Sequence, residues 1–209
     1  MSEYHKIQTL FKRDMDKPGK PIILGAWTKP EFEYLKDNLW HAEEKIDGMN
    51  IRVEWDGENV KFGGRTDNAL LPTRLVAHLN AAFTPDRFRL CEYPPMTLYG
   101  EGCGAGIQKG GGYSAEQRFV LFDVHCGGLW LEREDVLNIA CRLQTTAAIN
   151  LGTFTLTSII EKVCRGLQSC YGDFFAEGVI ARPVVELQNR RGERIIAKIK
   201  HRDLADTAA

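Results

Sequence analysis

Charge of one sign is the first thing this sequence lacks. Lys and Arg number 27 and Asp and Glu 28, for a formal net charge of −1. That balance excludes a histone-like or polybasic binder that works through bulk charge. It leaves room for an enzyme that meets nucleic acid through a local basic face. Long hydrophobic runs are also missing, and no apolar stretch approaches the ~20 residues needed to span a bilayer. The opening MSEYHKIQTLFKRD has no apolar signal-peptide core, so the expected location is the cytoplasm, with no membrane partner. The six cysteines, Cys91, Cys103, Cys126, Cys141, Cys164 and Cys170, include no CxxC pair, and the five histidines make no HxxxH or HExxH pattern. Neither a disulfide framework nor a zinc site is indicated, and scattered reduced thiols are the expectation. Internal repeats, low-complexity tracts and Pro/Gly/Ser-rich linkers are absent as well.

What is present is an ordinary globular composition, with 209 residues of which 44% are hydrophobic, ample for a core. The chain reads as one continuous unit, a single domain over residues 1–209. Thr28-Lys-Pro-Glu31 predicts a short helix capped by Thr28, with Phe32 and Leu35 facing inward. Residues 42–62 predict strand, hairpin, strand: Ile51, Val53 and Trp55 alternate with Asn50, Arg52 and Glu54, and Asp56-Gly57 forms a two-residue turn. Leu71, Leu75, Leu79 and Ala82 make a helical stripe. Strands are expected at about 97–101 and 118–124, and Gly127-Gly128 turns the chain into Leu129–Leu131. Helices follow at about 133–145 and 157–168, the second opened by Ser158-x-x-Glu161. The chain ends with strands over 176–182 and 193–200 around a loop at Asn189–Gly192. The pattern is α+β, with antiparallel sheets and flanking helices.

Six segments carry chemistry. In Lys45-Ile-Asp47-Gly-Met-Asn50, a lysine stands two residues before an acid and a glycine. Such a lysine can be a covalent nucleophile once its amine loses its proton, although alone the pattern is usually an exposed lysine before a turn. In ERIIAKIK, alternation puts Ile196, Lys198 and Lys200 on one face and Ile195, Ala197 and Ile199 on the other. Two ammonium groups on one face suit a polyanion such as a triphosphate, and the ordinary alternative is a solvated face. Glu177 precedes the apolar strand GVI as a candidate oxygen ligand for a hard cation, or a solvated strand start. Glu101 stands among glycines in Tyr99-Gly-Glu-Gly, where backbone can approach a ligand closely. In FVLFDV, Phe122 is a ring that could stack on a nucleobase or simply fill core. Arg65, in Gly63-Gly-Arg-Thr66, could contact ribose or phosphate or lie on the surface.

Singly weak, these segments are specific in this order. EKIDGMN, GGRT, YGEGCGAGIQKGGGY, RFVLFDV, EGVIARP and AKIK together resemble the covalent nucleotidyltransferase superfamily of nucleic-acid ligases and capping enzymes. The RNA ligase 2 family, found in phages and in RNA-editing ligases, is the closer likeness. Gly106-Ile-Gln-Lys109 and Tyr4-His-Lys-Ile7 are especially like that branch, and the likeness runs over about residues 4–202.

The resemblance implies the ligase nucleotidyltransferase fold, ATP-grasp-like, and an ATP-dependent RNA ligase. Lys45 would attack the α-phosphate of ATP and become lysyl-AMP. The AMP would pass to a 5′-phosphate RNA end, which a 3′-hydroxyl then seals, as in RNA repair. Lys198 and Lys200 would neutralise the triphosphate and favour a neutral Lys45 amine. Glu44, Arg65, Glu101, Phe122, Lys198 and Lys200 would contact the nucleotide, with Phe122 on adenine. Glu177 and Glu101 would serve Mg²⁺ or Mn²⁺, and Asp47 and Asn50 would shape the nucleophile loop. Many relatives carry a C-terminal domain that binds nucleic acid. With only nine residues after Lys200, the expectation is that none exists here and that a helper subunit replaces it. The implied partners are RNA ends, nicked or broken, in the host cytoplasm if the chain is phage-encoded. The competing readings are a DNA nick ligase, a GTP-dependent capping-type enzyme and a non-catalytic end-binding module. Positive charge is expected to gather around Lys45, Lys198 and Lys200, with the balancing acids elsewhere.

Overall fold

Two separate hydrophobic clusters organise the chain, each on its own sheet. The computed structural model describes residues 3–108 and 112–204. They fall into two compact units: one holds the first residues up to His5 together with Ile46–Ala148, the other Lys6–Lys45 together with the chain from Ile149 onward. Among the described residues, no helix is long and apolar enough to cross a membrane. Lys109, in one of the family-like motifs, lies outside the described residues.

The chain begins its second unit with β1 (Gln8–Thr9), β2 (Phe11–Arg13), β3 (Ile22–Trp27), α1 (Pro30–Tyr34) and β4 (Trp40–Lys45). Helix α1 starts one residue later than Thr28 predicts. Lys29 is the N-cap and makes no side-chain cap bond. The prolines and apolar residues decide the outcome instead: Pro30 pre-sets the first turn and Phe32 is fully buried. After the excursion into the first unit, the chain returns through β11 (Asn150–Phe154), α5 (Leu156–Cys164), β12 (Gly178–Pro183), β13 (Ala197–Lys200) and α6 (His201–Leu204). The five-stranded sheet runs β1-β13-β12-β4-β11, with β12 antiparallel to both neighbours and β1 parallel to β13. Trp40, Ala42, Val179, Ala181, Ala197 and Ile199 supply its core face, covered by Leu156, Ile159 and Val163 of α5. The cap of α5 is Thr155, whose hydroxyl accepts from the Ser158 N–H. The Ser158–Glu161 pair predicted as the start therefore lies inside the helix.

The first unit contains β5 (Met49–Trp55), β6 (Val60–Gly63), α2 (Thr73–Ala82), α3 (Pro85–Leu90), β7 (Met96–Cys103), β8 (Arg118–Cys126), β9 (Leu129–Trp130), α4 (Arg133–Arg142) and β10 (Thr146–Ala147). Its sheet runs β10-β8-β7-β5-β6, with β9 hairpinned onto β8 through Gly127-Gly128. Ile51, Val53 and Trp55 are buried as their alternation predicts, against Leu75 and Leu79 of α2. The β5–β6 connection is longer than two residues. Trp55 pairs with Val60, and Asp56 closes a four-residue loop by accepting from the Glu58 and Asn59 N–H groups.

Candidate active site

In the second unit, strand register gathers the expected residues. β4, β12 and β13 align Lys45 with Gly178 and Gly178 with Lys200, so the two lysines flank one row. The next row on the same face is Glu43, Ile180 and Lys198. Glu177, immediately before β12, joins the lysines. Its Oε2 accepts from Lys45 Nζ and its Oε1 accepts from Lys200 Nζ at 2.6 Å. Burial alone would raise the Glu177 carboxyl, but the ammonium groups of Lys45 and Lys200 outweigh it and hold the group below its ordinary value.

Gly178 makes this row possible. A β-carbon there would lie 2.0 Å from the Ile199 carbonyl oxygen and 2.8 Å from Lys200 Cα. The close strand approach that brings Lys200 to Glu177 therefore requires a residue without a side chain.

Acids are not kept elsewhere, as the charge expectation had it. Glu177 stands among the lysines, and Glu43 is buried on their face, paired with buried Arg182 at 3.2 Å. Sequence reasoning missed that pair, because two adjacent acids in WHAEEK carry no sign of which one is paired. Glu44 is on the other face and nearly inaccessible. Ser169 Oγ donates to its Oε1 at 2.6 Å and the Cys170 N–H donates to its Oε2 at 2.8 Å. Burial and the Glu44 carboxylate push the Cys170 thiol up, away from thiolate reactivity.

The first unit holds the remaining candidates. Asn50 of β5 and Glu101 of β7 are cross-strand partners, both half-buried. Arg65 is exposed in the loop after β6. Phe122 owes its position to a β-bulge. Tyr99 pairs with Asp123 and Gly100 with Leu121, so Phe122 is the extra residue on β8. Leu121 and Val124 both face the core, and half-buried Phe122 turns away from it. Tyr4 supports that ring edge-on at 5.1 Å and 71°, and its hydroxyl donates to the buried Asp123 carboxylate at 2.8 Å. Asp47 is half-buried just before β5.

The donor set bears on a metal. Among the described residues no group of three or more His, Cys, Asp or Glu side chains could hold a cation by itself. A hard cation that arrives with phosphates needs only one or two carboxylates, and the Glu177 carboxylate fits that requirement.

A family model described as RNA ligase matches residues 38–200. The solved structures that match this fold include mutants of Naegleria gruberi RNA ligase. One with AMP and Mn has a TM-score of 0.70 and 15% identity, over 99% of this chain and 58% of that one. Another with ATP and Mn has a TM-score of 0.67 and 14% identity, over 95% and 61%. A third, without ligand, has a TM-score of 0.67 and 16% identity, over 86% and 54%. The chain thus spans little more than half the length of the structures it matches. No curated protein matches it. At these identities the structural likeness concerns the fold.

Proposed function

The chain belongs to the RNA ligase family, and from that premise we propose that it is an ATP-dependent RNA ligase of the RNA ligase 2 type. Residues 1–209 act as one adenylyltransferase, working on RNA ends in the cytoplasm. The observation that carries the proposal is the bridge from Lys45 through Glu177 to Lys200. A lysine at the end of a strand is held by one carboxylate, with a second ammonium beside it and a third, Lys198, one row away. That set suits a nucleophile facing a triphosphate better than a structural ion pair, which needs no third cation.

In the proposed reaction, Lys45 Nζ gives up a proton and attacks the α-phosphorus of ATP. An N–P bond forms, the α–β bridging P–O bond breaks, and pyrophosphate leaves with that electron pair. Lys198 and Lys200 balance the charge on the phosphates. Glu177 orients the Lys45 amine through Oε2 and is the residue that would hold a divalent cation. When bound, Mg²⁺ or Mn²⁺ supplies further neutralisation of phosphate charge. Glu44 is proposed to serve the nucleotide indirectly, holding the Ser169–Cys170 segment beside the start of the nucleophile motif. In the first unit, Phe122 offers its ring to adenine, Arg65 and Glu101 address the ribose and phosphates, and Asp47 and Asn50 shape the chain after Lys45. AMP then passes to a 5′-phosphate, and attack by a 3′-hydroxyl expels AMP and seals the ends. RNA repair, with a helper subunit adding affinity for ends, is part of the same proposal.

The test is incubation with ATP or GTP labelled at the α-phosphate plus Mg²⁺, followed by nicked and single-stranded RNA and DNA ends, with and without a pre-adenylylated 5′ end. Labelling by ATP, lost in Lys45→Ala, and sealing of RNA ends are expected. Preference for GTP or for DNA ends would replace the substrate assignment. End binding by a folded protein that never takes label would overturn the enzyme reading.

A further inference from the structure

Arg52 occupies a position that alternation marks as polar and solvent-facing, yet its exposure is 0%. Sealing a guanidinium from water is costly unless acceptors receive it. Its acceptors lie in one loop. Arg52 Nε donates to the Gly64 carbonyl at 2.7 Å, and its terminal nitrogen donates to the Asp67 carboxylate at 2.7 Å. These acceptors bracket Arg65. The loop is closed on itself at the same place: a β-carbon on Gly64 would lie 2.5 Å from Ala69 Cβ, and the Ala69 N–H donates to the Thr66 carbonyl at 3.1 Å. Asp67 is 66% exposed, and the Arg52 guanidinium bonded to it holds its carboxyl below the usual range. A bridge to so exposed an acid contributes little stability. An apolar residue would fill the strand position at less cost, so stability alone does not account for an arginine there.

We propose that Arg52 is a positioning residue for nucleotide recognition: its planar fork fixes both ends of the Gly64–Asp67 turn and so sets where the exposed Arg65 side chain meets ATP. The inference rests on the proposed role of Arg65. Arg52 itself touches no substrate. Lysine could not substitute, because a single ammonium lacks the rigid fork that reaches a carbonyl and a carboxylate together.

Asp67 makes the inference testable without disturbing the core. The probe is α,β-methylene-ATP, which cannot be cleaved at the reacting bond, titrated with Mg²⁺ into wild type, Arg65→Ala, Asp67→Ala and the double variant. Arg65→Ala should weaken binding about 10- to 100-fold, the range for a lost charge-assisted contact. Asp67→Ala should weaken it roughly 3- to 10-fold in the wild-type background and not at all in the Arg65→Ala background, the non-additivity of residues acting as one unit. Amide exchange over residues 64–69 should accelerate in Asp67→Ala by more than the fall in global stability from the loss of Arg52's carboxylate accounts for. If Arg65→Ala weakens binding but Asp67→Ala does nothing, or acts equally in both backgrounds, the positioning role is overturned and the Arg65 assignment stands. If Arg65→Ala leaves binding unchanged, the Arg65 assignment itself falls and the inference with it.

Discussion

Replacing Glu177 by glutamine probes the link between strand pairing and the nucleophile. Both carboxylate oxygens of Glu177 accept an ammonium hydrogen bond, one from Lys45 and one from Lys200. A hydrogen bond to a charged group contributes about 1.5–3 kcal/mol net. Side-chain exposures of 14% for Glu177, 19% for Lys45 and 16% for Lys200 leave some solvent screening, which favours the lower part of that range. The amide also presents an N–H₂ toward one of the two ammonium groups, leaving them close together and poorly compensated. A loss of about 2–4 kcal/mol at pH 7 follows, which for a chain of this size lowers the melting temperature by roughly 4–16 °C. The loss depends on pH. The folded-state Glu177 carboxyl is held below its ordinary value of 4.5, so its stabilisation is fully present above that value and is lost as pH falls through the folded-state value. Urea unfolding of wild type and Glu177→Gln, followed by tryptophan fluorescence from pH 7 into acid, should show a gap that is constant at neutral pH and begins to narrow as pH falls below 4.5. A gap below about 0.5 kcal/mol at pH 7, the scale of an ordinary surface substitution, or a gap that persists unchanged into acid, would show that the Glu177 carboxylate does not hold the two lysines together.

Other outcomes follow from the same geometry. Gly178→Ala should cost about 1–3 kcal/mol or more by overpacking the β12–β13 pair and should reduce adenylylation, checked by urea titration and labelling together. Tyr4→Phe removes the bond to the buried Asp123 carboxylate and should destabilise by about 1–3 kcal/mol, while weakening nucleotide binding because Phe122 loses a fixed neighbour; calorimetry and ATP titration read the two effects. Ser169→Ala takes one donor from the buried Glu44 carboxylate and should cost about 1–3 kcal/mol, measured by thermal unfolding.

Much of this architecture can be read from period-2 alternation where one face is core and the other polar. Ile51, Val53 and Trp55 in β5, and Ala197 and Ile199 in β13, behave in this way. The pairing of Lys198 with Lys200 on one face follows from the same count. The rule fails where the chain departs from strict period. Phe122 is turned by a bulge, and no local pattern in RFVLFDV announces an extra residue. Arg52 sits at a polar position of the alternation but is sealed by a loop that begins twelve residues later, a non-local fact. Helix starts slipped because cap type does not single out one position: Lys29 rather than Thr28 caps α1, and Thr155 rather than Ser158 caps α5. Packing of Phe32 and Leu156 decides among them. The Lys45–Glu177–Lys200 bridge joins residues far apart in sequence, so its members could be nominated singly, but their hydrogen bonds needed the three-strand register.

The claim on which everything else depends is that Lys45 carries AMP. Intact-mass measurement after incubation with ATP and Mg²⁺, followed by peptide mapping under conditions that preserve an N–P bond, tests it most directly. A mass increase of one AMP is expected, confined to the peptide containing Lys45 and absent from Lys45→Ala. AMP on a different residue, or none on a wild-type protein shown to be folded and to bind ATP, would contradict it.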